Sequence, residues 1–321
     1  MASVNIFAVA NGVGISRDIE LIKDVLSGAG FEVEVSQMYR YQPKKRFDVN
    51  IFVERFNPRW LELADYNCFV PNQEWFESSW MPHLKEFDLY LTKTHFADGI
   101  FKNLGVRTEY ISFTSVDRFI PQVKKDEYHW LHVAGKSVQK QTETVIRTWA
   151  KNPGFPQLTI IQDPKYYRPR TSLRNINFMF DRLPDDTLRH LQNAFAVHVC
   201  PSETEGFGHY IMEGLSCEAV VLTTNGPPMS ELITTERGCF VEPVRSEPVR
   251  LSTRYLISEI SLEKAVAQLL VLEDHKRRVF GKRGREFFIE NDAFFRRRLP
   301  EAINSLFVNK ARIDGLDDIL Q

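Results

Sequence analysis

Apolar positions along this chain alternate between two periods. Short runs rich in β-branched and aromatic residues recur: SVNIFAVA from Ser3, FEVEV from Phe31, VNIFVE from Val49, YNCFVPN from Tyr66, DLYLTKTHF from Asp88 and EYISF from Glu109. A second series follows, with WLHVAG from Trp130, LTIIQ from Leu158, INFMF from Ile176 and AVHVC from Ala196. Such runs predict strands. Between them the spacing turns helical. Ser16 is placed to cap a helix through Leu26 to a stop at Gly28 and Gly30, and Thr94 caps one ending near Gly105. Thr142 to Lys151 forms another, and Asp185 caps a helix with Leu188, Leu191 and Phe195 on one face. Strands alternating with helices predict an α/β protein with doubly wound sheets. The polar stretch from Gln122 to Tyr128 reads as a linker between an N-terminal domain, residues 1–122, and a C-terminal domain, residues 123–292. Two or three helices end the chain.

One stretch concentrates candidate chemistry. The run AVHVC ends at Pro201, which cannot donate to a sheet ladder. SETEGFGHYIMEGLSCE follows, with Gly206 and Gly208 bracketing Phe207 and helical spacing from His209. This is a strand, a tight loop and a helix, and in an open parallel sheet ligands bind at such loops. The helix N-terminus suits an anion. Glu205 lies on the loop and Glu213 inside the helix. A carboxylate accepts two or more hydrogen bonds, which suits neighbouring hydroxyls on a sugar ring. The site therefore reads as one for a sugar and a phosphate together; a Gly-rich turn with two solvated glutamates is the plainer alternative. A second Gly-containing loop, Asn11-Gly12-Val13-Gly14, opens the first domain and is equally compatible with an ordinary βα turn.

The Glu205-to-Glu213 stretch resembles the glutamate, seven residues, glutamate motif of retaining glycosyltransferases with the GT-B fold. The similarity is to the large family of glycogen-synthase-like and mannosyl-transferring enzymes. AVVLTTNGPPMSELI, from Ala219 to Ile233, resembles that family's next strand and Gly-Pro-rich loop. SVDRFIP, from Ser115 to Pro121, resembles its exit from the first domain, with Ser115 in place of glycine and Phe119 one position early. Gly135-Lys136 and Lys140 resemble a Gly-Arg and downstream Lys pair that holds the donor diphosphate. Lysine replaces arginine at 136 and the spacing is one residue shorter, so bidentate clamping is lost and a point charge remains.

The resemblance implies two Rossmann-like domains facing across a cleft, with the last helix, about 293–321, packing back on the first. It implies a nucleoside-diphosphate sugar as donor and a glycan or other hydroxyl-bearing acceptor, with Glu205, Lys136 and Lys140 as catalytic residues. Donor contacts would come from Glu213, Gly206, Phe207, Gly208, Gly12, Gly14, Gly135, Arg182 and Leu183. The acceptor side would hold Asn72, Glu74 and Trp75. The family often has a histidine in the first domain near the donor sugar; after YNCFVP this chain has Asn72-Gln73-Glu74 instead. Two other functions remain open on the same fold: a non-catalytic sugar-nucleotide or glycan-binding protein, and a sugar-nucleotide epimerase.

Composition adds limits. The chain has 321 residues, 43% hydrophobic and 26% charged, with a formal net charge of −1. Nothing global points to nucleic acid. The N-terminus has no basic region before its apolar run, and no run is long enough to cross a bilayer, so a cytoplasmic protein, soluble or peripherally membrane-associated, is expected. Cys68, Cys200, Cys217 and Cys239 are scattered and fit buried thiols in a reducing compartment. The chain has no Asp-x-Asp and no His/Cys spacing for a metal, so no metal or other cofactor is expected. The C-terminal end is basic, with Lys276, Arg277, Arg278, Lys282, Arg283, Arg285, Arg296, Arg297 and Arg298 among Phe287, Phe288, Phe294 and Phe295. It reads as a solvated face over buried aromatics, with weak contact to an acidic acceptor or anionic membrane as the sharper alternative.

Overall fold

A computed structural model of the chain describes residues 1–9, 14–37, 45–165, 173–180 and 182–320, with side chains described up to 308. The chain divides into two compact units, Met1–Ser115 with Asn291–Gln321, and Val116–Glu290.

In the first unit, β1 (Ser3–Ala8), β2 (Glu32–Gln37), β3 (Phe47–Val53), β4 (Ala64–Val70), β5 (Leu89–Thr92) and β6 (Thr108–Tyr110) form one sheet in the order β2-β1-β3-β4-β5-β6. Every pairing is parallel. Parallel sheets need both faces covered, and β1, β3 and β4 are accordingly almost wholly buried. Helix α1 (Gly14–Gly28) buries Ile19, Ile22 and Leu26. It begins at Gly14, so Ser16 lies within the first turn and is not the cap expected of it. Helix α2 (His95–Asn103) is capped by Thr94, whose Oγ1 accepts from the Ala97 N–H at 3.1 Å. The run DLYLTKTHF is strand only over β5, because that cap starts a helix inside it.

In the second unit the order is β12-β11-β10-β7-β8-β9, again parallel throughout. Its strands are β7 (Asp126–Gly135), β8 (Gln157–Gln162), β9 (Ile176–Met179), β10 (Phe195–Cys200), β11 (Val220–Thr224) and β12 (Gly238–Val241). Helices α3 (Thr142–Lys151), α4 (Asp185–Ala194), α5 (His209–Ser216) and α6 (Met229–Leu232) follow strands. The core centres on Trp130 of β7 and Trp149 of α3, with ring centroids 5.8 Å apart. The Trp149 indole N–H donates to the Pro156 carbonyl at 2.9 Å, so burial leaves its polar handle satisfied.

Asp185 is the first residue of α4 and Pro184 stands at the cap. The Asp185 carboxylate takes two hydrogen bonds from Arg118 instead, each 2.8 Å. A hairpin, β13 (Arg245–Val249) with β14 (Ser252–Leu256), had no signal in the apolar pattern because its burial is only partial. After α7 (Glu259–Leu270), helix α8 (Asp274–Leu320) ends the chain.

Candidate active site

The carboxyl end of β10 builds the site. Pro201 ends the strand and the chain turns through Ser202 to Gly208 before α5 starts. Gly208 has φ 114°, and a Cβ there would meet Leu232 at 3.2 Å and Ile211 at 3.3 Å. Only glycine makes this turn without strain. The loop is anchored on two sides. The Glu203 N–H donates to the Gln139 carbonyl at 2.9 Å, and the Tyr255 N–H donates to the Glu203 carbonyl at 2.7 Å. Gln141 joins all three segments: its amide donates to the Pro201 carbonyl at 2.9 Å and the Tyr255 carbonyl at 3.2 Å, and accepts from the Ile257 N–H at 2.9 Å. The β7–α3 loop, the β10–α5 loop and the end of β14 are thereby one assembly.

That assembly brings Lys140 and Glu205 together from 65 residues apart. The Lys140 ammonium pairs with Glu205 Oε1. It also donates to Ser202 Oγ at 3.2 Å and lies 3.6 Å from the Tyr210 ring centroid. Ser202 Oγ donates to Glu205, and the Tyr210 hydroxyl reaches Ser202 Oγ. Burial first, then the Cys200 and Glu205 charges, push the Tyr210 hydroxyl well above its ordinary value, so it stays a donor. Ser202 and Tyr210 are site residues that the sequence reading did not single out, although both lie in the stretch it quoted.

Glu213 is 2% exposed on α5. Gln192 Nε2 donates to its Oε2 at 2.8 Å, and Arg118 Nε donates to Gln192 Oε1 at 2.9 Å. Arg118 is itself held by Asp185. A buried chain of side chains thus fixes one carboxylate oxygen of Glu213. Gln192 and Gln141 sit outside the expected motifs, and Arg118 lies within the SVDRFIP run, where the resemblance gave it no role.

The other predicted donor residues distribute unevenly. Gly135 ends β7 with φ 56°, Lys136 beside it is exposed, and Gly206 and Phe207 are buried. Arg182 is exposed and Leu183 half-buried. Gly14 starts α1, while Gly12 lies outside the described residues.

In the first unit, Asn72 and Glu74 are buried and Trp75 is 40% exposed. Phe76 packs inward against Phe69, Trp80 and Phe101. Asn72 Nδ2 donates to Glu54 Oε2 at 2.6 Å. Glu54 directly follows β3 with φ 64°, a left-handed conformation that a residue with a Cβ rarely adopts. Burial raises its carboxyl above the usual range, against the Asn72 hydrogen bond and the charges of Lys93 and Arg55. Nearby in sequence to α2, Lys93 pairs with Asp18 at 3.0 Å, both buried. Glu54, Lys93 and Asp18 were not among the expected residues.

The basic C-terminal end is largely spent on internal pairs. Arg285 binds Asp117 at 2.6 and 2.8 Å, and Arg277 donates to the Leu269 and Leu272 carbonyls at 3.1 and 2.7 Å. Arg296 pairs with Asp24 at 2.9 Å, and Arg298 pairs with Glu109. Phe288 and Phe295 are buried. Among the described residues no group of three or more His, Cys, Asp or Glu side chains is placed to hold a metal, and no helix is long and apolar enough to cross a membrane.

Residues 170–287, which contain the β10–α5 loop and most of its supports, match the family described as Glycosyl transferases group 1. The likeness to group 1 glycosyltransferases covers that segment of the chain. No curated protein matches the sequence. Solved structures extend the likeness beyond the matched segment. Sucrose-phosphate synthase from Thermosynechococcus elongatus superposes with TM-score 0.73 at 13% identity, over 96% of this chain and 100% of that one. HepE of Anabaena, in complex with UDP and glucose, gives 0.69 at 12%, over 95% and 100%. WaaG, a glycosyltransferase involved in lipopolysaccharide biosynthesis, gives 0.57 at 15%, over 94% and 99%. Both units are parallel α/β sheets of six strands, and the fold is GT-B.

Proposed function

We propose that this glycosyltransferase moves a sugar from a nucleoside-diphosphate sugar to a hydroxyl acceptor, with retention of anomeric configuration and without a divalent metal. The observation that carries the proposal is the Lys140–Glu205 assembly at the carboxyl end of β10, with buried Glu213 one helix turn beyond it. A cation, two carboxylates and a helix N-terminus suit a ligand that is an anion at one end and a polyol at the other. HepE, similar in fold, has been captured with UDP and glucose, which makes UDP the first diphosphate to try.

The chemistry follows from charge. Breaking the anomeric C–O bond leaves a nucleoside diphosphate with added negative charge. Lys140, Lys136 and the backbone at Phe207 and Gly208 would stabilise it, and such preorganised stabilisation is usually the largest catalytic contribution. Glu205 would hold sugar hydroxyls and Glu213 the ribose. The acceptor oxygen would form the new C–O bond on the face the diphosphate leaves, and its proton would pass to a diphosphate oxygen. Asn72, Glu74 and Trp75 are the proposed acceptor contacts. Four free cysteines, three of them buried, suit a reducing compartment such as the cytoplasm. A weak contact with an acidic acceptor or anionic surface would fall to exposed cations such as Lys276 and Lys282, since Arg283, Arg285, Arg296 and Arg298 are paired.

The deciding experiment incubates purified protein with a panel of nucleotide sugars and follows diphosphate release, with and without candidate acceptors. Release in saturating chelator at the untreated rate, and a steep fall in Lys136→Ala and Lys140→Ala, is the expected result. Loss of activity in chelator, restored by magnesium or manganese, would overturn the metal-free leaving-group account. Binding of nucleotide sugars without any turnover would favour the non-catalytic function, and conversion of donor without acceptor would favour the epimerase.

A further inference from the structure

Tyr210 has no part in the reaction just described, yet it touches both of its central groups. Its ring lies 3.6 Å from the Lys140 ammonium and its hydroxyl reaches Ser202 Oγ. The direction of each hydrogen bond is fixed by what the groups can do. Glu205 as a carboxylate only accepts, so the Ser202 O–H is donated to it. Ser202 Oγ must then accept from Tyr210, and it accepts from Lys140 as well. A tyrosine hydroxyl thus holds a serine that holds the glutamate, while the same ring seats the lysine.

We infer that Tyr210 is a positioning residue for this site: its ring holds the Lys140 ammonium at the diphosphate position, and its hydroxyl fixes the Glu205 carboxylate through Ser202. The inference rests on the function proposed above. A lysine stem has four rotatable carbons and much conformational freedom to lose. A ring face attracts the ammonium without taking one of its N–H groups. Two of the three Lys140 donors go to Glu205 and Ser202, which leaves the third to a phosphate oxygen. A carboxylate in the ring's place would hold the lysine too, but would repel the incoming diphosphate. The two parts of Tyr210 are therefore separable, the ring acting on nucleotide binding and the hydroxyl on the sugar-handling glutamate.

The test measures UDP, GDP and ADP affinity by titration calorimetry together with kcat and KM. Tyr210→Phe keeps the ring, so diphosphate affinity should stay within about twofold while kcat falls several-fold. Tyr210→Leu removes both functions, and affinity should fall about tenfold. Mono-, di- and trifluorinated phenylalanines at position 210 keep the shape of the ring and weaken its negative face. Affinity should drop stepwise along that series, which a residue that merely fills space would not produce. A flat fluorine series, or Tyr210→Leu binding diphosphate like the parent, would overturn the inference; if Tyr210→Leu fails to fold, the fluorine series decides. Lys140→Ala separates the two levels. If it binds every diphosphate as the parent does, or the parent binds none, the proposed donor site fails and the inference with it. If Lys140→Ala weakens binding and the Tyr210 variants do not, only the inference fails.

Discussion

Glu205 carries two loads, the ion pair with Lys140 and the proposed contact with sugar hydroxyls. Both side chains are only 13% and 16% exposed, but glutamine keeps the shape of Glu205 and an oxygen that accepts from Lys140 and Ser202. Glu205→Gln should therefore cut turnover by about a hundredfold or more while the melting temperature barely moves. Turnover within a factor of about two of the parent would remove Glu205 from the site. Glu54 poses the opposite case, a carboxylate that costs stability where it stands. Its folded-state pKa is raised, mainly by burial, so the folded form binds its proton more tightly than the unfolded form does. That contribution is fully present below the unfolded carboxylate value and is lost as pH rises through the folded one. Glu54→Gln keeps an acceptor for Asn72 and removes the titration. It should be more stable than the parent at pH 8, and the advantage should shrink as pH falls toward 4. An advantage independent of pH would show that burial of the charge is not the cause.

At the scale of elements, strands were the most legible part of the chain, since parallel strands buried on both faces leave continuous apolar runs. Helix starts were less so. Ser16 and Asp185 have cap chemistry, but α1 starts earlier at Gly14, and the Asp185 carboxylate is taken by Arg118, which lies 67 positions away. Long-range pairs of this kind leave no periodic trace. The same reason hid Gln141, Gln192 and Tyr210, whose roles come from segments that meet only after folding. The glutamate motif was legible because strand, tight loop and helix sit in one continuous stretch, whereas Lys140, 65 positions from Glu205, was marked only by its resemblance to a known diphosphate-holding pair. One packing contact is equally specific. A Cβ on Gly281 of α8 would stand 2.2 Å from the Glu218 carbonyl oxygen, just past α5. Backbone cannot yield as a side-chain tip can, so Gly281→Ala should destabilise the second unit by about 1–3 kcal/mol despite the better helix propensity of alanine. Chemical denaturation reads this directly, and a stability equal to or above the parent would mean that α8 can move off α5 at no cost.

At the scale of the molecule, acid should act on the second unit through two buried histidines. His132 Nδ1 lies 2.7 Å from the Val199 carbonyl, which can only accept, so Nδ1 carries the proton and Nε2 accepts from the Thr142 hydroxyl at 2.9 Å. His198 Nε2 donates to the Gln192 carbonyl at 3.0 Å. Burial lowers His132 to about 4 and His198 to about 3 from 6.5. Both are bases with depressed folded values, so the unfolded chain binds the extra protons, and stability is complete above pH 6.5 and lost as pH falls toward those values. By pH 5 each histidine should have cost roughly 2 kcal/mol. Gln192 ties this titration to function, since its carbonyl receives His198 while its side chain holds Glu213. Nucleoside diphosphate affinity should therefore weaken in the same acid range in which the second unit loosens. Ring resonances from two of the eight histidines should stay unmoved between pH 7.5 and 5 in the folded protein. If all eight titrate near 6.5, the buried pair is not neutral and the acid loss has another source.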